Sequence, residues 1–310
     1  MKHLLGLEDL SKEEILQLLE KGNGFRQWLD CEYLSTRTAL SDLKGRKICL
    51  LFYEPSTRTR HSFEIAGRLL GADVSSFTIA VSSVQKGESF KDTLLTLESM
   101  GFELFVIRHS SSGACLYASS HLKRAKVVNA GDGMHEHPTQ TLLDLLTIFR
   151  EKGKVEGMKI AIVGDILHSR VARSAIHAFS KLNWDIRLCA PPTLLPAKIE
   201  KFPVKLFYNL EDAIKGVDVI YMLRIQRERQ KEQFFPSIEE YSRLFGLTHL
   251  HKSLAPHAMI MHPGPVNRGV EMEGAVVDCE DSFILEQVRN GVAIRMAVLH
   301  SLLGEEEWTC

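Results

Sequence analysis

Short apolar runs alternate along this chain with amphipathic stretches whose apolar side chains recur every three to four residues. Several runs are apolar on consecutive positions, which is typical of strands covered on both faces. The strands predicted in this way are Lys47–Phe52, Leu104–Ile107, Lys126–Asn129, Lys159–Val163, Ile186–Cys189, Val217–Met222 and Ala258–Met261. The predicted helices are Ser11–Lys21, Thr57–Leu70, Ser89–Met100, Thr139–Arg150, Ser169–Lys181 and Ser282–Leu303. This order predicts an α/β fold with doubly wound parallel sheets.

The chain divides near its middle at a polar segment, Glu151–Met158, which contains two glycines and precedes a new predicted strand. Its 310 residues suffice for two domains of about 150 residues each. The sequence alone does not decide which half contains the last predicted helix. Within that helix, Asn290–Gly291 predicts a break.

The composition excludes several classes of protein. Hydrophobic residues make up 45% and charged residues 25%, as in folded globular proteins and unlike disordered chains. The 38 basic and 39 acidic residues leave a net charge of −1, which gives no long-range field for nucleic acid or an anionic membrane. The six cysteines are scattered without a metal-binding spacing, which predicts reduced thiols in a cytoplasmic protein.

A cluster of hydroxyl and guanidinium groups, Ser56-Thr57-Arg58-Thr59-Arg60, lies between the first predicted strand and its helix. Ser56 suits the N-cap of that helix, whose first turn offers unpaired N–H groups and the positive end of its dipole. In open α/β sheets, ligands bind at the carboxyl ends of the strands. The segment therefore predicts an anion site of phosphate size, although a capped helix with solvated arginines is the alternative.

Other polar motifs follow strands of the first half. Arg108-His109 directly follows Leu104–Ile107, and His137-Pro138-Thr139-Gln140 begins a helix. A neutral histidine can donate to a carbonyl oxygen, and a glutamine can orient an amide. A surface arginine, a capping histidine and a surface glutamine are the alternatives. The polar loop 82–88 contains Lys86, which could close over an anion or remain solvated.

The second half carries arginines at two strand ends. Arg170 ends the segment that begins at Gly164-Asp165, and Arg224 begins a charged segment that continues through Gln226 to Arg229. For the segment from Arg224, a solvated helix or loop is the alternative. The segment 262–265, His-Pro-Gly-Pro, predicts an irregular turn with exposed carbonyls, and its Gly-Pro bond could be cis. The sequence contains neither G-x-G-x-x-G nor a Walker motif, which disfavours dinucleotide and Walker-type nucleotide binding.

Taken in order, the motifs S-T-R-T-R, R-H, H-P-T-Q, G-D-x-x-x-x-R, R-x-Q-x-E-R and H-P-x-P resemble the catalytic chains of aspartate carbamoyltransferases over essentially the whole sequence. The S-x-R-T-R motif is shared with ornithine carbamoyltransferases. Those enzymes typically have HPCQ and HCLP where this chain has HPTQ and HPGP. Arg224-Ile225-Gln226 also fits the aspartate enzymes, because a side-chain carboxylate requires a cation.

The resemblance implies a binding site for carbamoyl phosphate. Residues of the first half would hold the phosphate and the carbamoyl group, namely Ser56, Thr57, Arg58, Thr59, Arg108, His137 and Gln140. The carbonyls of Pro263 and Gly264, in the turn with Pro265, would hold the carbamoyl amide. The expected catalytic residues are Arg58, Thr59, Arg108, His137 and Lys86.

The resemblance also implies an aspartate site, domain closure and subunit assembly. Arg170, Arg224 and Gln226 would bind the aspartate carboxylates, together with Lys86. Lys86 and Ser82, with Ser83 as the alternative to Ser82, would bind carbamoyl phosphate in the site of a neighbouring subunit in a homotrimer. Glu54 would pair with Arg170 and Arg229 on domain closure, in which Glu228 is also expected to take part.

The fold implied by the resemblance has two doubly wound parallel-sheet domains with the active site in the cleft between them. Residues 1–150, with the returning helix 282–310, would bind carbamoyl phosphate, and residues 151–281 would bind aspartate. The expected reaction is direct attack by the aspartate amino group, with no cofactor, no metal and no covalent enzyme intermediate. The resemblance leaves open a regulatory chain or a dihydroorotase partner, as well as another amine substrate such as ornithine.

Overall fold

The computed structural model of this chain describes residues 1–32, 39–78, 88–226 and 234–304. The chain forms two compact units, Met1–Leu146 with Val288–Cys310, and Thr147–Gln287. Each unit contains one sheet in which every strand pair is parallel, with helices packed against it. The predicted α/β class with two doubly wound parallel sheets is confirmed.

The sheet of the first unit has the strand order β2-β1-β3-β4. Its strands are β1 Lys47–Phe52, β2 Asp73–Thr78, β3 Leu104–His109 and β4 Lys126–Asp132. The helices that begin before the division of the chain are α1 Lys12–Glu32, α2 Thr57–Leu69, α3 Phe90–Ser99, α4 Ala114–His121 and α5 Pro138–Lys152. The last helix, α11 Ile284–Leu303, contributes residues from 288 onwards to this unit.

The sheet of the second unit has the strand order β7-β6-β5-β8-β9. Its strands are β5 Lys159–Val163, β6 Asp185–Cys189, β7 Val204–Phe207, β8 Val219–Met222 and β9 Met259–Met261. Its helices are α6 Arg170–Lys181, α7 Leu210–Ile214, α8 Ile238–Phe245, α9 His249–Lys252 and α10 Gly274–Val277, with short 3-10 turns at Pro192–Leu194 and Ile199–Lys201.

Alternate residues of neighbouring strands build the core on one face of the first sheet. Cys49 and Leu51 of β1 lie on the same face as Phe105 and Ile107 of β3, and all four are almost fully buried. Helices α3 and α4 cover this face with apolar side chains that include Leu94. Burying a side chain of this size stabilises the fold by about 1.5–3 kcal/mol. Consecutive burial along the inner strands explains why the sequence identified them.

The strand order of each sheet fixes where a ligand can bind. In the first sheet the chain leaves β1 towards β2 on one side, whereas β3 lies on the other side. In the second sheet β5 and β8 have the same relation. At such a switch point the connections diverge and leave a crevice at the carboxyl ends of the two strands. Arg108 and Arg224, at or just beyond the ends of β3 and β8, therefore lie at these crevices.

Helix α1 continues eleven residues beyond its predicted end at Lys21 and passes through Gly22 to Glu32. The end predicted at Lys21 is wrong because Gly22 serves tertiary packing. A Cβ atom on Gly22 would lie 2.6 Å from Cδ1 of Ile294, so the glycine allows α1 to approach α11 closely.

The break predicted at Asn290–Gly291 is also wrong, since α11 runs unbroken through both residues. Asn290 Oδ1 accepts a hydrogen bond from Arg26 Nε at 2.9 Å. A Cβ atom on Gly291 would lie 2.5 Å from Nη1 of Arg295. Asn290 is therefore polar because it binds Arg26, and Gly291 is small because Arg295 lies against it.

Two strands, β2 and β7, are absent from the sequence-based prediction. Both lie at a sheet edge and both are only partly buried. The prediction also lacks α4, α7, α8, α9 and α10, and it begins β8 at Val217 instead of Val219. The polar segment Glu151–Met158 begins inside the last turn of α5.

Within the described ranges, no helix combines the length and the hydropathy needed to cross a membrane. The five described cysteines, Cys31, Cys49, Cys115, Cys189 and Cys279, form no disulfide.

Candidate active site

The candidate site of the first unit begins at the start of α2, directly beyond β1. Ser56 occupies the N-cap position with extended backbone angles, but its side chain makes no capping hydrogen bond. Thr57 and Arg58 are exposed, and Thr59 is buried. The first N–H groups of a helix have no partner within it, and the helix dipole favours negative charge there. The N-cap position of Ser56 is therefore confirmed, and its hydroxyl is not committed to a cap.

Arg108 lies at a register shift, because β3 pairs with β4 regularly up to Ile107 and differently from His109. Its Nη1 donates to the carbonyl of Ala130 at 3.2 Å, and its Nε lies 3.5 Å from Oε2 of Glu54. Glu54 follows β1, so the acid and the arginine join the ends of adjacent strands. The guanidinium is thereby held at the switch point beside the start of α2.

His109, the next residue, supports this strand end. Its Nδ1 accepts a hydrogen bond from the backbone N–H of Ser111 at 2.9 Å, which requires that nitrogen to be unprotonated. Its ring packs on Tyr53 and Phe90, with centroids 4.8 and 5.3 Å away. Burial lowers the pKa of His109, although the charges of Glu54 and Asp132 oppose that shift. His109 therefore acts as a neutral packing residue in this arrangement.

A buried acid, Asp132, shapes the connection from β4 to α5. Its carboxylate accepts from the backbone N–H groups of Gly113 at 2.8 Å and Glu136 at 3.2 Å, and from Asn129 Nδ2 at 2.7 Å. This fixes the turn that delivers His137, which is 4% exposed, to the start of α5. Three residues of the predicted H-P-T-Q motif, Pro138, Thr139 and Gln140, lie in the first turn of that helix.

The amide of Gln140 is held by another acid. Gln140 Nε2 donates to Asp144 Oδ1 at 3.0 Å, one helical turn along α5. Asp144 is fully buried. The sequence carried a signal for this contact that the prediction did not use, because Asp144 interrupts an apolar run, Leu142-Leu143-Asp-Leu145-Leu146.

The candidate site of the second unit is organised around Asp165, a fully buried acid just beyond β5. Its Oδ1 accepts from the backbone N–H of His168 at 3.2 Å and lies 2.8 Å from the ring Nδ1. Its Oδ2 accepts from the backbone N–H of Gln226 at 3.1 Å, beyond β8. One carboxylate therefore connects the segment that leads into Arg170 with the segment that carries Arg224.

Arg170 is the first residue of α6 and is 3% exposed. Ser169 caps this helix, since its Oγ accepts from the backbone N–H of Ala172 at 3.1 Å. Arg224 and Gln226 are half-buried. The structure thus places these three predicted residues in loops or helix starts at the carboxyl edge of one sheet.

A second buried acid, Glu271, holds the segment after β8. Its carboxylate accepts from the backbone N–H groups of Ile225 at 3.0 Å and Asn267 at 2.9 Å. Burial raises the pKa of Glu271, against the hydrogen bonds that stabilise its charge. Burial also raises the pKa of the nearby Tyr241 phenol well above its usual value. Backbone contacts to Asp165 and Glu271 thus fix consecutive residues, Ile225 and Gln226.

Strands β5 and β8 approach closely where these loops begin. Gly164 has a φ of +125°, which L residues rarely adopt. A Cβ atom there would lie 2.8 Å from the carbonyl oxygen of Leu223 and 3.1 Å from the hydroxyl of Tyr241. Only glycine fits between the two strand ends.

The turn after β9 is irregular, as predicted. The backbone N–H of His262 donates to Gln287 Oε1 at 3.0 Å, and the N–H of Gly264 donates to His262 Nδ1 at 2.8 Å. Gly264 has a φ of +65°, and the Gly264–Pro265 bond is cis. Pro263 is half-buried and Pro265 is exposed.

Five residues singled out in the sequence lie outside the described part of the chain: Ser82, Ser83, Lys86, Glu228 and Arg229. The pairing expected of Glu54 with Arg170 and Arg229 therefore stays a prediction. The carboxylates that position the site, namely Asp132, Asp144, Asp165 and Glu271, were not identified from the sequence. Their roles depend on burial, and among them only Asp144, which interrupts an apolar run, has a local signal of burial in the sequence.

Comparisons with known proteins match both halves of the chain. The family model for the carbamoyl-P binding domain of aspartate/ornithine carbamoyltransferase matches residues 2–150, and that for the Asp/Orn binding domain matches residues 156–302. The aspartate carbamoyltransferase catalytic subunits of Moorella thermoacetica and Desulforamulus reducens are each 51% identical to it. Each alignment covers 98% of this chain, with 97% and 96% of the two relatives.

Two solved structures have the same fold. Aspartate transcarbamoylase from Trypanosoma cruzi, in complex with carbamoyl phosphate and aspartate, aligns with a TM-score of 0.88 and 30% identity over 98% of this chain and 97% of that chain. The catalytic subunit of M. jannaschii aspartate transcarbamoylase aligns with a TM-score of 0.84 and 37% identity over 97% of this chain and 98% of that chain.

Proposed function

We propose that this chain, which belongs to the aspartate/ornithine carbamoyltransferase family, transfers the carbamoyl group of carbamoyl phosphate to the α-amino group of L-aspartate. The products are N-carbamoyl-L-aspartate and phosphate, a reaction of pyrimidine biosynthesis. The observation that carries the conclusion is 51% identity to aspartate carbamoyltransferase catalytic subunits over nearly the whole chain. It favours aspartate over ornithine as the amine.

The first unit supplies the carbamoyl phosphate half-site. The start of α2 would bind the phosphate through Ser56, Thr57, Arg58 and Thr59, and the uncommitted Ser56 hydroxyl supports this role. Arg108, His137 and Thr59 would donate to the carbamoyl oxygen. The buried environment of His137 and Thr59 strengthens such hydrogen bonds, because the local dielectric is low. Gln140 would accept from the carbamoyl NH₂ group.

The second unit supplies the aspartate half-site. Arg170 and Arg224 would bind the two carboxylates, and Gln226 would assist. Arginine suits this task, since its fork of N–H donors matches a carboxylate. The hydrogen bonds from the Gln226 and Ile225 N–H groups to Asp165 and Glu271 support the assignment, because they fix the backbone that carries Arg224. The carbonyls of Pro263 and Gly264, in the turn with Pro265, would accept from the carbamoyl amide.

The reaction requires no covalent enzyme intermediate. The neutral amino group attacks the carbamoyl carbon, a C–N bond forms, and the carbonyl oxygen becomes an oxyanion. The C–O bond to phosphate then breaks, and the leaving phosphate can take the amine proton. Catalysis is positioning together with stabilisation of the developing charge. By analogy with oxyanion-hole deletions, removing Arg108 should cost on the order of 2.7–4 kcal/mol of transition-state stabilisation.

We further propose a homotrimer in the cytoplasm in which Ser82 and Lys86 of one subunit complete the site of the next, and in which Lys86 also contacts aspartate. Closure around the substrates would use Glu54 together with Glu228 and Arg229. The Glu54–Arg108 contact supports a role for Glu54 at the carboxyl edge of the first sheet.

The purified chain should form carbamoyl-aspartate from carbamoyl phosphate and L-aspartate. Turnover of ornithine instead of aspartate, or a folded chain that yields neither product, would refute the proposal. The bisubstrate mimic N-phosphonacetyl-L-aspartate should raise the melting temperature, because it would bind only the folded state.

Two arginines of α2 provide a matched pair of variants. Arg58→Ala should abolish most of the activity, whereas Arg68→Ala should retain it. Arg68 lies near the other end of the same helix, where its exposed side chain pairs with Glu64 at 2.7 Å. Equal effects of the two substitutions would contradict the phosphate role of Arg58.

A further inference from the structure

Gln140 is connected to a buried pair of opposite charges that the proposed reaction does not use. Its partner Asp144 is fully buried in α5, and Arg295 of α11 is 4% exposed. Burial lowers the pKa of the Arg295 guanidinium to about 10, although the negative charge of Asp144 opposes this shift. At neutral pH the arginine therefore remains charged.

Arg295 is held on two further sides. Its Nη1 donates to the carbonyl of Gly291 at 3.0 Å, and its guanidinium lies 5.0 Å from the centre of the Phe63 ring. A buried carboxylate is costly unless it is paired or hydrogen-bonded, and a nearby cation favours its charged form. Arg295 therefore supports an ionised Asp144 beneath Gln140.

An ionised carboxylate can only accept hydrogen bonds. Because Asp144 Oδ1 lies 3.0 Å from the end of the Gln140 side chain, the atom facing it must be the NH₂ group of the amide. The carbonyl oxygen Oε1 is then the atom left to accept a hydrogen bond from a ligand. A glutamine held in this way distinguishes a ligand NH₂ group from a methyl group of similar size.

We propose that Asp144 is a positioning residue that orients the Gln140 amide, so that the enzyme selects the NH₂ group of carbamoyl phosphate against acyl phosphates that lack it. This inference rests on the proposed function and specifies how that site recognises its donor substrate. It assigns to the buried Asp144–Arg295 pair a role in substrate specificity as well as in packing.

Acetyl phosphate is the matched probe, since a methyl group replaces the NH₂ group. The aspartate nitrogen would attack its carbonyl carbon, the C–O bond to phosphate would break, and N-acetyl-aspartate, phosphate and the amine proton would result. A site that hydrogen-bonds a substrate N–H strongly disfavours an analogue without it. We expect the wild-type kcat/KM for carbamoyl phosphate to exceed that for acetyl phosphate by more than about 100-fold.

In Asp144→Asn, the new amide can donate as well as accept, so Gln140 can turn over. The kcat/KM for carbamoyl phosphate should then fall by about 10- to 100-fold. That for acetyl phosphate should change little, and the ratio of the two should fall accordingly. An unchanged ratio in the folded variant would overturn the proposal.

The single substitution leaves Arg295 without its opposite charge and could prevent folding. Asp144→Asn combined with Arg295→Met removes both buried charges, which is often neutral for stability when the new side chain packs well. This double variant should show the same fall in the ratio. Asn290→Ala is the control, because it removes a different buried polar contact of α11, the one to Arg26. It should lose stability and keep the wild-type ratio.

The outcomes separate this inference from the proposed function. A wild-type chain that does not carbamoylate aspartate refutes the proposed function. A wild-type chain that does so but uses acetyl phosphate within about 100-fold of carbamoyl phosphate refutes only the role of Asp144. A ratio that falls equally in Asn290→Ala would show that general loosening of α11 is the cause, and it would also refute that role.

Discussion

Gly164→Ala tests whether the close approach of β5 to β8 positions the candidate site of the second unit. The new Cβ would lie 2.8 Å from a backbone carbonyl oxygen, that of Leu223, and 3.1 Å from the hydroxyl of the buried Tyr241. Leu223 cannot move freely, because its N–H donates to Val163 of β5 at 2.8 Å. The substitution therefore combines a φ of +125° with a collision against fixed atoms.

A matched control separates backbone strain from overpacking in the loss of stability caused by Gly164→Ala. Gly157, in the same unit, has a φ of +65°, and a Cβ atom there would meet nothing within 4 Å among the described residues beyond its chain neighbours. Gly157→Ala should cost only the left-handed strain of about 1–2 kcal/mol. Gly164→Ala adds overpacking to its backbone strain and should cost about 2–6 kcal/mol.

Denaturant unfolding of both variants, followed by circular dichroism, measures this difference, and steady-state kinetics measures its effect on the site. Leu223 precedes Arg224 and Gly164 precedes Asp165, so spreading the strands should displace the aspartate ligands. The KM for aspartate should rise more than the KM for carbamoyl phosphate. Equal destabilisation by the two alanines, or equal rises in both KM values, would refute the reasoning.

Three further predictions concern the other parts of the site and the fold. Arg224→Ala should raise the KM for aspartate more than that for carbamoyl phosphate, and equal rises would contradict its assignment. Burial raises the pKa of Glu98, but the backbone N–H groups of residues 123–125 outweigh it, so that the pKa is lowered. Wild type should therefore be more stable than Glu98→Gln by about 1–3 kcal/mol at neutral pH, and this difference should disappear as pH falls through the lowered pKa. Urea unfolding down to about pH 3 measures the difference, and a difference that stays constant with pH would contradict this prediction. Mixing Arg58→Ala chains with Lys86→Ala chains should restore activity if sites are shared between subunits, whereas independent sites would leave the mixture inactive.

The inner strands could be predicted because burial on both faces makes their residues apolar at consecutive positions, as in β1 and β5. The edge strands β2 and β7 could not, since partial exposure lets polar residues enter them. Local rules placed a helix end before Gly22 and a break at Gly291. Gly22 is instead required by its close approach to Ile294, which is distant in sequence, and Gly291 by its close approach to Arg295, one helical turn away.

The candidate site likewise contains residues that could be predicted from the sequence and residues that could not. Side chains proposed to bind ligands follow strands or begin helices, so their positions could be inferred from the order of motifs. Most of the supporting acids could not, because an aspartate such as Asp165 has the same local appearance whether it is solvated or fully buried. Its partner Gln226 lies 61 residues away along the chain. Only the fold brings the two together.

The packing of α1 against α11 has a consequence for the order in which the chain can fold during synthesis. The second unit is one continuous segment, Thr147–Gln287, whereas the first unit needs residues from 288 onwards. Gly22 and Arg26 contact Ile294 and Asn290, which are synthesised after the whole of the second unit. Domains generally fold as units during translation. The later-made unit can therefore complete its core first, while the earlier-made unit waits for the final helix.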